Sequence, residues 1–175
     1  SQQTAAVTTD SAAVAQTAPA DSRPYAPAKP ALDDASILAQ LAHANTQAVR
    51  GSAVALKQAH SRAVKALAQR LEADHKANLK QGNALATKLG ATPAQPDTSA
   101  TPEMTALQGK SGAAFDSAFV QQEIQDHQAT IDKLQNTFLP AAQSPELKAL
   151  IQKTIPTLQQ HLAAAQATQK KLGSN

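Results

Sequence analysis

The sequence predicts an all-α protein, a four-helix bundle of ferritin-like topology with a long crossover between its second and third helices. Three observations predict it. Aromatic residues make up only 2% of the 175 residues, namely Tyr25, Phe115, Phe119 and Phe138, while Ala and Gln are abundant. Strands of a sandwich or barrel need β-branched and aromatic side chains, so an all-β fold is excluded. Apolar residues recur at spacings of three and four through long stretches, the period of a helix with one buried face. Finally, residues 91–112 hold Pro93, Pro96, Pro102, Gly109 and Gly112, a connection longer than a simple up-down bundle needs and suited to a crossover along the bundle.

Residues 1–32 read as a largely irregular tail, with Pro19, Pro24, Pro27 and Pro30 among Ala, Thr, Ser and Gln. Such a segment buries too little apolar surface to offset its ordering entropy. A short helix over Asp10–Gln16 is compatible with it. The bundle domain then occupies 33–175. Asp33 and Asp34 offer N-cap side chains, and the first helix runs over about 34–59 with Leu38, Leu41, Ala42, Asn45, Val49, Ser52, Ala53 and Leu56 inward. The second runs over about 61–89, with Val64, Leu67, Leu71, His75, Asn78, Gly82, Leu85 and Leu89 inward. A single helix over both stretches is rejected because the apolar stripe jumps about a quarter turn between Leu56 and Val64, where Ser61 is a good N-cap. Gly90 supplies a left-handed residue to end the second helix.

The third helix spans about 113–138, with Val120, Ile124, His127, Ile131, Leu134 and Phe138 inward, Phe115 and Phe119 over its first turns, and Pro140 as its stop. Ser144-Pro145-Glu146 combines a cap, Pro at the first helical position and an acid in the first turn, a strong helix start. The fourth helix runs over about 145–172, with Leu147, Leu150, Ile151, Ile155, Leu158, His161, Leu162, Ala165 and Leu172 inward; Pro156 kinks it locally and Gly173 ends it.

Charge and composition narrow the function. The net charge of +3 is spread over helix surfaces, with no dense basic stripe and no interleaved aromatics, which argues against nucleic-acid binding. No apolar run reaches transmembrane length. The absence of Cys removes disulfides, thiolate catalysis and Cys-ligated metal, and fits an oxidising compartment. The chain starts at Ser1 without a signal-peptide core, as would a mature exported protein or an expressed part of one. No glycine-rich phosphate loop, nucleophile elbow or His-Glu-x-x-His is present.

The histidines carry the chemistry. His43 falls on the polar side of the first helix and His60 in a turn. His75, His127 and His161 each lie on the apolar face of a different helix, within about three residues of its midpoint, so within roughly 4–5 Å along the axis of one another's level. Three convergent imidazoles are the protein part of a zinc- or copper-type site. Glu72 stands three residues before His75, the Glu-x-x-His spacing used inside bundles, and Glu123 stands four before His127. Asp74 and Asp126 precede the two histidines and suit supporting roles, and Asn45 falls at the same level on the first helix. The same residues could instead form a metal-free polar layer that fixes helix register. No acid lies between Asp34 and Glu72, so a ferritin-type di-iron centre lacks its carboxylate from the first helix, and a mononuclear site is the most the residues support.

Taken in order, Ala63-Val64-Lys65-Ala66-Leu67-Ala68, Asp74-His75-Lys76-Ala77-Asn78, Gly112-Ala113-Ala114-Phe115-Asp116-Ser117-Ala118-Phe119-Val120, Asp126-His127 and Ile155-Pro156-Thr157-Leu158-Gln159-Gln160-His161-Leu162 resemble a bacterial family, the domain of unknown function numbered 4142. The resemblance covers about 34–172 and implies a ferritin-like four-helix bundle exported to the periplasm or envelope, with no established reaction. Members often carry Glu in the middle of the first helix, where this chain reads Asn45-Thr46-Gln47-Ala48-Val49.

Three functions follow as expectations. The first is a non-catalytic periplasmic protein binding one divalent zinc or copper ion through His75, His127 and His161, completed by Glu72 or Glu123, with affinity falling below about pH 6 as the imidazoles protonate. The second is a metal-free stress-response or interaction bundle, whose tail or crossover contacts a protein partner. The third is an acid–base enzyme using Glu72 and Glu123.

Overall fold

The computed structural model describes residues 32–93, 95, 97 and 99–174. The expected tail, with the short helix over Asp10–Gln16, lies outside these residues except for Leu32. The elements are α1 (Asp34–Gln58), α2 (Arg62–Lys88), α3 (Pro102–Leu107), α4 (Gly112–Lys133), a π-helical turn (Leu134–Phe138), α5 (Leu139–Ala141) and α6 (Pro145–Leu172). No strand occurs among the described residues. The protein is a helical bundle.

Local chemistry sets the ends. Asp33 caps α1 by accepting from Ser36 N at 2.8 Å, and Ser61 and Ser144 cap α2 and α6 through Ala63 N and Leu147 N. At the end of α2, Gly90 takes φ +74° while Ala91 N–H reaches Ala86 O and Gly90 N–H reaches Thr87 O, so the last carbonyls find donors. The chain is extended at Ala59 and Ser61, breaking α1 from α2.

Two parts differ from expectation. The connection after α2 contains α3, started by Thr101, which accepts from Met104 N at 3.2 Å, with Pro102 and Glu103 in the first turn. The helix that begins with α4 also does not stop at Pro140. Leu139 N–H reaches back five residues to Leu134 O, and Ala142 N–H then bonds Phe138 O at 2.8 Å. The π turn changes the register just where Pro140 has no N–H to give, so the chain stays helical through it. In α6, Pro156 sits inside one continuous helix.

Ion pairs and caps fix the helix directions. Lys88 at the end of α2 pairs with Glu146 at the start of α6, so these two run antiparallel. Asp116 near the start of α4 bonds His60 N and Ser61 N at the start of α2. Hence α2 and α4 begin at the same end, and the connection must travel the bundle's length. Arg50 Nη1 holds it against α1 through Ser99 O (2.6 Å) and Asp97 O (3.2 Å). Helix α1 packs most closely on α2 and α4 on α6; α2 also meets α6, whereas α1 meets α4 only loosely.

Two apolar clusters fill the interior. One gathers Val64, Leu67, Leu71, Phe115, Phe119 and Val120; the other gathers Ile37, Leu38, Leu134, Phe138, Leu147 and Ile151. Each fully buried side chain of this size contributes roughly 1.5–3 kcal/mol. In α2, α4 and α6 the buried histidine lies in sequence between the residues given to the two clusters, and a polar layer divides the core.

Candidate metal centre

The layer is built from the helix period. Turns of α2, α4 and α6 that bury Leu71, Val120 and Leu158 return the same face to the interior at His75, His127 and His161, which are 6%, 5% and 0% exposed. The ring centroids are 5.3–5.6 Å apart. One ring nitrogen from each lies within 4.8 Å of those of the other two.

Each ring is held by an acceptor, and that fixes its hydrogen. Asn45 donates Nδ2–H to Leu41 O at 2.8 Å, which turns Oδ1 toward His75. That oxygen accepts from His75 Nδ1–H at 2.8 Å. His127 Nδ1 lies 2.8 Å from Glu123 O, a carbonyl that can only accept, so this nitrogen donates. His161 Nε2 donates to Asp74 Oδ2 at 2.8 Å. In a neutral imidazole the other nitrogen then carries a lone pair. Those nitrogens are His75 Nε2, His127 Nε2 and His161 Nδ1. The last two face each other at 3.3 Å, and His75 Nε2 is buried without a hydrogen-bond partner.

Burial keeps the rings neutral. Desolvation, then the neighbouring imidazoles, push His75 down to about 3; desolvation also brings His127 down to about 4, against the Glu123 carbonyl and with the help of His161. Desolvation lowers His161 as well, opposed by Asp74. Burial raises the Glu123 carboxyl to about 8, with the Asp126 charge adding to it. At neutral pH the layer therefore offers three lone pairs converging without a proton between them. Such an arrangement is a poor hydrogen-bond network and a good cation ligand set.

The other candidates sit outside the three-nitrogen cluster. Glu123 is buried, with Oε2 3.4 Å from His127 Nδ1, behind the ring relative to its lone pair. Glu72 turns to Lys76 Nζ at 2.8 Å, an i,i+4 pair at the surface. Asp74 holds His161 and lies 3.7 Å from Arg70 Nε. Asp126 is exposed and faces a cavity of about 290 Å³, which His75, His127 and Glu123 also line. Asn45 lines it too. His43 and His60 are exposed. Met104 of α3 and its capping residue Thr101 complete part of the cavity wall, and sequence periodicity did not point to them. The Thr101-Pro102-Glu103 start is the signal that finds α3, since it repeats the pattern of Ser144-Pro145-Glu146.

Among the described residues, no helix is long and apolar enough to cross a membrane. No curated protein sequence matches the chain. Solved structures do. A DUF305 fragment from Deinococcus radiodurans superposes with TM-score 0.68 at 19% identity, covering 86% of this chain and all of that one. CopM in its Cu(I)-bound form gives TM-score 0.67 at 20% identity, over 79% of this chain and 96% of CopM. A Streptomyces coelicolor DUF305 protein, described as secreted, gives 0.69 at 14% identity over 82% and 96%. At these identities the likeness is one of fold. The sequence itself matches the domain of unknown function DUF4142 over residues 4–168, and the chain belongs to that family.

Proposed function

We propose that this protein is a non-catalytic, exported helical-bundle protein that holds one transition-metal ion, copper or zinc, on His75 Nε2, His127 Nε2 and His161 Nδ1. The observation that carries the reading is the approach of His127 Nε2 and His161 Nδ1 to 3.3 Å with neither nitrogen bearing hydrogen. Two lone pairs at that distance repel, and a cation between them converts the repulsion into binding. Imidazole nitrogens suit copper and zinc. The likeness to CopM, solved in Cu(I)- and Cu(II)-bound forms, supports copper. Asn45, Asp74 and the Glu123 carbonyl act as the acceptors that orient the ligands, and a cation at the triad would draw the proton from the Glu123 carboxyl and gain its charge. Export is supported by the secreted DUF305 neighbour.

The test is elemental analysis and melting of protein purified without a His tag. The expected result is one bound copper or zinc per chain. At a free ion concentration of about 100 Kd, binding adds about 2.7 kcal/mol, or roughly 5–11 °C in melting temperature. His161→Ala abolishes the shift. Protein without bound ion that also melts unchanged on adding copper or zinc refutes the reading.

A second reading, a metal-free layer that sets register, is favoured by one observation. The Asn45–His75 and Asp74–His161 bonds tie α1 to α2 and α2 to α6. His75→Ala separates the two. Equal destabilisation with and without chelator supports the register role, and loss of the metal response with modest destabilisation supports the metal centre.

A further inference from the structure

The cavity beside the triad is lopsided. His75 and His127 line it and keep slight exposure, while His161 is fully buried on the far side. It lies along the loose seam between α1 and α4, with α3 across it. Three histidines leave a tetrahedral ion one coordination position, and the side of the triad that meets open volume is this one. Its volume, about 290 Å³, suits a single small ring compound. The wall includes Ala48, Leu107 and Phe119, which favours an apolar body. Glu103 and Asp126 stand exposed on the lining and set a negative potential there, which disfavours anions. Gln47 Nε2 also lies buried in the lining without a partner, a donor available to a ligand's ring face or second heteroatom.

We propose that this cavity is a ligand chamber of the metal centre, taking a small neutral nitrogen heterocycle of the azole or azine class that coordinates the ion from the α1–α4 side. The proposal rests on the metal reading above.

The experiment uses the full chain loaded with one equivalent of Cu(II), with imidazole and azide as probes. The d–d absorption and the electron paramagnetic resonance spectrum are followed, and copper content is measured after gel filtration. Imidazole is expected to shift both spectra with copper retained, at a concentration about tenfold lower than azide requires. Ala48→Phe, which fills the chamber, should weaken imidazole about tenfold at unchanged copper stoichiometry. Ala44→Leu, on the exposed part of the lining, serves the same purpose if the Phe variant does not fold. Copper that loads one to one while imidazole leaves the spectra unchanged overturns the chamber and spares the metal centre. So does azide binding as well as imidazole, or a filled variant that responds like the parent. An imidazole response that emerges only in Met104→Leu assigns the position to the chain's own thioether and also overturns the proposal. Failure to load copper or its Zn(II) and Co(II) substitutes refutes the metal reading itself, and the chamber with it.

Discussion

Asn45→Leu isolates the orienting role of a residue that does not ligate. In the parent, Asn45 Oδ1 holds the Nδ1–H of His75 at 2.8 Å, and the amide cannot turn over without breaking its 2.8 Å bond to Leu41 O. Leu keeps the volume and removes the acceptor. His75 then has two options. It can keep Nδ1–H buried and unbonded, at a cost of about 1–3 kcal/mol. Or it can move the hydrogen to Nε2 and lose the lone pair that faces the triad. Both act against metal binding, and loss of such an outer partner typically costs 10–100-fold in affinity, about 1.4–2.7 kcal/mol. The assay is competition for Cu(I) or Zn(II) against a chromophoric chelator at pH 7, with urea unfolding of the metal-free protein alongside. The expected result is an affinity lower by about 10–100-fold and a metal-free stability lower by about 1–3 kcal/mol. An affinity within about threefold of the parent refutes the reasoning, because the tautomer would then not depend on Asn45.

Asp116→Ala should cost about 3–5 kcal/mol by urea denaturation, since a carboxylate only 2% exposed accepts from His60 N (3.0 Å) and Ser61 N (2.7 Å), and its loss strips both donors; a loss under about 1 kcal/mol contradicts the capping role. For the metal-free protein, pH acts through two opposed groups. His75 and His127 have folded values depressed to about 3 and about 4, so their contribution is full above the unfolded value of 6.5 and is lost as pH falls toward 4 and below. Glu123 is raised from 4.5 to about 8, so its contribution is full below 4.5 and is lost as pH rises through about 8. Urea titrations across pH 3–9 should thus show Glu123→Gln flattening the alkaline limb and leaving the acid limb in place. Burial also revises the expected pH range of binding. In the folded protein burial lowers all three imidazoles, His75 to about 3 and His127 to about 4, so metal affinity should persist below pH 6, which equilibrium dialysis at pH 5 measures.

The bundle was legible because its signals are long and local. Periodic apolar residues marked α1, α2, α4 and α6 to within a few residues, and Ser61, Gly90 and Ser144 marked their ends. The meeting of His75, His127 and His161 followed from counting residues to helix midpoints, because rigid rods of similar length bring equal heights together. What sequence could not supply was tertiary choice. Glu72 has the spacing of an inward residue, but Lys76 one turn away offers it a partner in solvent, and burial would strip that pair of its water. The capping of distant turns by Asp116 and Asp34 depends on how the helices are laid together. So does the cavity, which arises from the loose α1–α4 contact and from α3. The π turn before Pro140 reflects a competition between two helical registers that composition does not rank.

The two capping aspartates have a consequence for the way the chain is assembled. Asp116, carried by the α4–α6 hairpin, closes the bend of the α1–α2 hairpin, and Asp34, carried by α1, bonds Gln143 N and Ser144 N in the bend before α6. Each half thus brings the missing acceptor for the other's corner, at opposite poles of the molecule. The covalent link between the halves is then a tether rather than a strut. A backbone cleaved near Pro93, between the halves, has both reciprocal clasps available to hold its pieces together, and two fragments mixed in solution have a defined way to find their mutual orientation.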